Sequence, residues 1–313
     1  MSADWGGRDP AWAGIRSEYR DVAGHPVHLL RADGPSDGPV QLLVHGLGGA
    51  AINWLEVMRP LAERGPVLAP DLPGFGSTPP PRPGASRSEH NLAFLTALLR
   101  EEGIDAAEVH GNSMGGMLAT LLAGEHPERV TRLVLVDPAL PGTEQAPQRL
   151  DPGTIRLFVP FVVPGLGERL LRRLYATRTA EELVTGFQDL IHADASRLRP
   201  PLVDALVTNA AFGQQELWRA EGLAVASGSL LHLLTSRRRL RQALEAITAP
   251  TLLVWVSEDR LIGRSVIDAT IERRPDLDLK VLPGLGHAPM MEDPARYLEA
   301  VTDWLERSTP SAA

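Results

Sequence analysis

The sequence predicts an α/β protein built on a mostly parallel sheet, and three observations carry that prediction. Short, largely apolar runs at residues 40–44, 67–69, 130–136 and 250–256 alternate with stretches of helical periodicity. Such runs suit strands covered on both faces, as parallel strands are. A glycine-bracketed serine, Gly111-Asn112-Ser113-Met114-Gly115, stands between a β-rich run at 107–110 and a helical run at 114–125. From about residue 139 to 247 the strand pattern stops, and it resumes immediately afterwards. The order implies helices on both faces of the sheet and a helical insertion between two of its strands.

Each element follows from local signals. Residues 18–22 and 27–32 read as strands joined at Ala23-Gly24-His25-Pro26, an antiparallel hairpin. The run 40–44 ends in His45-Gly46-Leu47-Gly48-Gly49, and a helix over 52–64 carries Trp54 near its start. The strand 67–69 leads into Asp71-Leu72-Pro73-Gly74-Phe75-Gly76-Ser77, a tight turn. A helix over 87–102 sets Leu92, Leu95, Leu98 and Leu99 on one face and stops at Gly103. After the serine helix, the strand 130–136 closes on Asp137-Pro138. Helices are expected near 154–176, 180–197, 202–215 and 223–246, broken by Pro160, Pro164-Gly165, Pro200-Pro201 and Gly213. The strand 250–256 ends in Ser257-Glu258-Asp259-Arg260, and a helix follows at 265–273. The strand 277–282 runs into Pro283-Gly284-Leu285-Gly286-His287-Ala288-Pro289, and a helix over 294–306 closes the chain. The reading gives eight strands and three segments: core 1–138, helical cap 139–247, core 248–313. The low-complexity ends, 1–14 and 308–313, are expected to be mobile.

Composition excludes several kinds of chemistry. The 313 residues suit one large domain with an inserted subdomain. A formal net charge of -8, with no long basic run, argues against a nucleic-acid partner. The chain has no cysteine, so disulfides, thiolate catalysis and Cys-based metal sites are out. Lys280 is its one lysine, which disfavours Schiff-base chemistry. Residues 1–14 have no apolar segment of the signal-peptide kind. The apolar run 157–166 holds two prolines and is too short to cross a bilayer. A cytoplasmic protein without a membrane partner is the expectation; nothing in the sequence sets the oligomeric state.

The glycine-bracketed serine carries the chemistry. A strand-to-helix turn this tight forces Ser113 into a strained conformation and leaves its hydroxyl exposed. The amide of Met114, opening the helix, points to where an oxyanion forms. A serine hydroxyl needs a base within hydrogen-bond reach, and the base needs a third group to fix its tautomer. Functional residues of a parallel sheet gather at the carboxyl ends of its strands. His287 follows the last strand, and Asp259 follows the strand before it, giving the chain order Ser113, Asp259, His287. Glu258 and Asp137 are rival acids, and Asp137 also suits a capping role beside Pro138.

From about residue 18 to 306 the chain resembles an α/β-hydrolase-fold enzyme. The resemblance rests on residues 111–115, His45-Gly46-Leu47-Gly48-Gly49, the 71–76 turn, Val134-Leu135-Val136-Asp137-Pro138, and Gly286-His287-Ala288-Pro289. It implies a second oxyanion-hole amide at Leu47, beside that of Met114, and a helical cap at 139–247. Many relatives carry W-G-x-x-D before the acid; here Trp255-Val256-Ser257-Glu258-Asp259 lacks the glycine. The family needs no cofactor for this chemistry. The other histidines, His25, His28, His90, His110, His126, His192 and His232, form no metal-spaced set, and no metal site is expected. His45 is expected to make structural hydrogen bonds.

The implied activity is that of a serine hydrolase acting on small to medium neutral esters. Trp54, Phe75 and the cap residues Phe158 and Phe161 are candidates to line its pocket. Val159, Val162, Val163 and Leu166 are further candidates, and core packing is the alternative for all of them. No exposed membrane-binding helix is evident, so long-chain lipids are expected to be poor substrates. The alternatives are a carbon–carbon bond hydrolase of the meta-cleavage type, a lactonase or a thioesterase. Outside enzymes, the alternative is a ligand receptor on the same scaffold.

Overall fold

A computed structural model describes residues 3–142, 163 and 165–308. Its sheet has nine strands in the order β1-β2-β3-β5-β4-β6-β7-β8-β9. The strands are β1 (Ala3–Asp4), β2 (Ile15–Val22), β3 (His25–Ala32), β4 (Gln41–Val44), β5 (Val67–Pro70), β6 (Ala107–Asn112), β7 (Val130–Val136), β8 (Thr251–Val256) and β9 (Asp278–Leu282). The first four in this lateral order pair antiparallel; from β5 through β9 every pair is parallel. All eight strands expected from sequence are present. β4, β5 and β6 are buried along their whole length, the polar Gln41, Glu108, His110 and Asn112 included.

Four helices cover one face: α2 (Ser88–Glu101), α3 (Met114–Glu125), α8 (Arg238–Ala246) and α9 (Arg264–Arg273). The other face is covered by α1 (Leu55–Ala62), α10 (Pro289–Glu292) and α11 (Pro294–Arg307). Residues Met114 to Ala123 of α3 are buried throughout, so this helix is apolar on every side. The sheet therefore grips the serine helix at the centre of the molecule.

Between β7 and β8 the described elements are helical: α4 (Leu166–Thr177), α5 (Ala180–Ile191), α6 (Pro200–Gln215) and α7 (Leu217–Ser236), followed by α8. Several boundaries differ from expectation. The helix expected at 180–197 stops at Ile191, because Glu292 accepts the next amides, of Ala193 and Asp194, at 3.2 and 2.9 Å. The stretch 223–246 is two helices, split at Arg237, whose φ is 55°. Gly213 does not break α6; it leaves room for the Arg219 side chain, which a Cβ there would meet at 2.9 Å. The expected helix at 154–176 is described only from Leu166 onward.

Two further corrections come from packing. The N-terminus was expected to be mobile, but residues 3–14 are built into the fold. β1 pairs with β2, and Trp12 is 1% exposed, within the core that α1 covers. Two tryptophans in a short segment supply the apolar area that holds it. At the other end, Ser308 accepts a hydrogen bond from Arg132 through its carbonyl, while residues 309–313 lie outside the described residues. The second correction concerns exposed helices. α4 presents Leu166, Leu170 and Leu174, an i, i+4, i+8 stripe that is exposed. No helix among the described residues is long and apolar enough to cross a membrane.

Candidate active site

The sheet delivers Ser113 at the carboxyl end of β6, one residue before α3. Its φ is 57° and ψ is -119°, a conformation costly for a non-glycine residue. The backbone around it holds that strain. Its N–H donates to Val136 O at 3.0 Å, and its carbonyl accepts from Met117 and Ala139, both at 3.0 Å. The flanking glycines are required by contact. A Cβ on Gly115 would collide with the carbonyl of Val44 and lie 2.6 Å from that of His45. A Cβ on Gly111 would lie 2.7 Å from the nitrogen of Gly116.

The His45–Gly49 turn passes directly beside the serine. A Cβ on Gly46 would sit 3.1 Å from Ser113 Cβ. Met114 opens α3, and its amide has no partner in the helical ladder. His45 fixes its own turn. Its Nε2 accepts the Leu72 N–H at 3.1 Å, so its Nδ1 carries the proton and donates to Gly46 O at 2.8 Å. Burial pushes its pKa down, which keeps it neutral and structural.

His287 and Asp259 meet directly: His287 Nδ1 lies 2.7 Å from Asp259 Oδ2, with both side chains nearly fully buried. Asp259 Oδ1 accepts the amides of Leu261 and Ile262 at 2.6 and 3.0 Å. The loop after β8 therefore closes without the glycine that many relatives carry there. Glu258 is exposed and takes a hydrogen bond from Ser257 Oγ at 2.9 Å, away from this pair. Asp137 is fully buried at the end of β7. Its Oδ1 accepts the Val256 amide at 3.2 Å, so it braces β8 and does not cap a helix. Asp137, Asp259 and His287 each offer a ligand atom within 4.8 Å of the others, which makes them the described group that could hold a cation. The direct 2.7 Å His287–Asp259 bond already uses one atom from each.

Several residues that tie the site together gave no signal in the sequence. Asn112, next to the serine, donates from Nδ2 to His287 O at 2.9 Å and to Val136 O at 3.2 Å. It thereby joins the serine turn to the histidine loop. Glu292 accepts the Gly286 amide at 2.7 Å as well as those of Ala193 and Asp194, locking that loop to the segment after α5. His287 N–H also donates to Ile191 O at 2.6 Å, the last residue of α5. Phe187 of α5 and Leu223 of α7 lie over Gly48 of the His45–Gly49 turn, 3.7 and 3.8 Å from where its Cβ would be. An isolated apolar residue in an insertion reads as core, so neither stood out.

The pocket candidates fare differently. Trp54 has no exposed surface and packs with Tyr297 at a ring distance of 6.4 Å; it is a core residue. Phe75 is 3% exposed and meets the His45 ring edge-on. Phe158, Phe161, Val159 and Val162 lie outside the described residues. A second Ser–His–Asp chain also exists. Ser17 Oγ lies 2.9 Å from His28 Nε2, and His28 Nδ1 lies 2.7 Å from Asp71. It borders a cavity of about 680 Å³ whose wall includes Trp5, Tyr19 and Phe212. Ser17 sits on a regular strand, not a strained elbow, and accepts from Trp5 Nε1 at 3.1 Å. Asp71 is held by the amides of Ala51 and Ser77, each at 2.7 Å, so the chain pins the hairpin to the 71–77 turn.

A strained serine thus follows a central parallel strand, and a bonded His–Asp pair sits on the loops after β8 and β9. The alpha/beta hydrolase family profile covers residues 41–300. The chain belongs to that family. It is 30% identical to 2-hydroxy-6-oxononadienedioate/2-hydroxy-6-oxononatrienedioate hydrolase of Burkholderia vietnamiensis, over 93% of this chain and 96% of that one. It is 27% identical to Lipase 1 of Psychrobacter immobilis, over 89% and 76% of the two chains. Among solved structures it resembles a membrane phospholipase A described as a bacterial virulence factor. The TM-score is 0.71 with 28% identity, covering 96% of this chain and 89% of the other. The protein is thus an enzyme of the hydrolase class.

Proposed function

We propose that this hydrolase cleaves small to medium neutral carboxylic esters through an acyl-enzyme on Ser113. The observation that carries the reading is the strained Ser113 elbow, tied by Asn112 to the loop whose His287 is bonded to Asp259. His287 gives its Nδ1 proton in a hydrogen bond to Asp259, which leaves Nε2 as the base. Nε2 takes the Ser113 proton as Oγ attacks the ester carbonyl. The amides of Leu47 and Met114 hold the oxyanion. His287 then protonates the leaving alcohol, and water, activated the same way, releases the acid and restores the serine. No cofactor or metal enters these steps. The helices between β7 and β8 act as a cap. Phe187 and Leu223, over Gly48, form the apolar wall that favours uncharged substrates.

A second reading, carbon–carbon bond hydrolysis, is favoured by the 30% identity to the Burkholderia enzyme, whose named substrates are dicarboxylates. The side chains nearest Gly48 are apolar, which supports the ester reading. A panel of aryl esters of short and medium acids, tested against vinylogous diketones, separates the two. Ester turnover at saturating rates with inert diketones is expected. Faster diketone cleavage would overturn the ester assignment and leave the triad standing.

A further inference from the structure

The triad leaves one buried carboxylate without a task. Asp137 ends β7, its N–H bonded to Val254 O at 2.9 Å. Its φ is 43°, in the left-handed region where Asp and Asn are the tolerated side chains. Its side chain is fully buried. Oδ1 accepts the Val256 amide at 3.2 Å, but no hydrogen-bond donor among the described residues reaches Oδ2. An orphaned oxygen in the interior costs free energy unless it carries a proton with an acceptor nearby.

The neighbour is Asp259. β7 and β8 pair in register, Val136 opposite Val254, and so bring both acids to one edge of the sheet. Oxygens of the two carboxylates and a ring nitrogen of His287 lie within 4.8 Å of one another. Two bare carboxylates at that separation in a dry interior repel strongly, and one shared proton removes the repulsion. The donor count decides which acid keeps it. Asp259 receives three N–H groups, from His287, Leu261 and Ile262; Asp137 receives one. Asp259 is therefore the better-solvated anion. Burial first, and then the Asp259 charge, push the Asp137 pKa well above the ordinary carboxylate range.

We propose that Asp137 is a positioning residue: it keeps a proton on Oδ2 and donates it to Asp259, extending the chain to Asp137–Asp259–His287. The proton stays on Asp137 through the cycle, and no bond forms or breaks there. Its effect is to hold the Asp259 carboxylate in the orientation that fixes His287. The inference rests on the triad reading above.

Infrared difference spectra of wild type against Asp137→Asn at neutral pH test the proton without any substrate, and so independently of the ester reading. The carbonyl band of a protonated carboxylic acid, shifting in heavy water, should be present in wild type and lost in the variant. Carboxylate bands alone would overturn the proposal. Asn keeps both the backbone preference and a donor, so the variant folds. Kinetics give the second arm. Asp137→Ala should lower kcat by roughly 10-fold to 100-fold with little change in KM, the loss of one hydrogen bond to a charged group. Asp137→Asn should restore most of that rate and leave the acid limb of kcat/KM in place. Equal losses in the two variants, or an acid limb displaced to lower pH in Asp137→Asn, would mean that the residue is ionised and the proposal wrong. Stoichiometric metal in the purified protein, lost in Asp137→Asn, would also overturn it.

Discussion

At the scale of single residues, the proposed mechanism makes Ser113 and His287 one unit, so removing either should remove the reaction. Ser113→Ala should lower kcat at least about 10³-fold while the fold survives, and His287→Ala should do much the same. Asp259→Asn leaves Nδ1 of His287 facing an amide that can present its own N–H, and the wrong tautomer follows. The expected loss approaches 10⁴-fold, by analogy with serine proteases. If Asp137→Asn proved the more damaging change, the acid would sit at the end of β7 instead. A protonated His287 cannot take the serine proton, so kcat/KM falls as pH drops; a profile flat on the acid side, with chemistry rate-limiting, contradicts the role. The Ser113 elbow and the pairing of His287 with Asp259 were legible because a strained strand-to-helix turn and an acid–histidine pair restrict residue type and chain order. Asn112 and Glu292 were not, because their work is to bond backbone groups 175 residues away for Asn112 and 98 and 99 residues away for Glu292, which only folding brings near.

At the scale of elements, the elbow packs without room for a side chain at either flanking glycine. Gly115→Ala places a methyl against the carbonyls of Val44 and His45, so β4 or α3 must shift. The expected cost is about 1–3 kcal/mol in denaturant unfolding, with activity lost further than stability. A variant with unchanged stability and rate would show that β4 and α3 are not in close contact. The central parallel strands were legible because burial on both faces leaves them few polar positions, Gln41, Glu108, His110 and Asn112 among them. The split at Arg237 was not, since the residue has no turn chemistry of its own and adopts φ 55° to suit the packing of α7 and α8. β1 was missed because a two-residue strand has no period to detect, and Trp12, which anchors that segment, lies outside it.

At the scale of the whole molecule, stability follows from what the core excludes, and the proposed selectivity from the helices between β7 and β8. Burial holds the His110 pKa down to about 3. Its unfolded value is about 6.5, so the unfolded chain binds the extra proton between these limits. The stability contributed by neutral His110 is therefore complete above about pH 6.5 and lost as pH falls toward 3. Thermal midpoints should decline across that range, and less steeply in His110→Gln; equal slopes would contradict the account. Neutral aryl esters should outpace charged isosteres, because Phe187 and Leu223 offer a charge no compensation. Matching rates would remove the apolar-wall assignment. The central claim is that Ser113 is the nucleophile, and its most direct test is covalent labelling by a fluorophosphonate followed by peptide mapping. A single adduct on the peptide containing Ser113, absent in Ser113→Ala and suppressed in His287→Ala, is the predicted result. Ester turnover with Ser113 unlabelled, or an adduct on another residue such as Ser17, would contradict it.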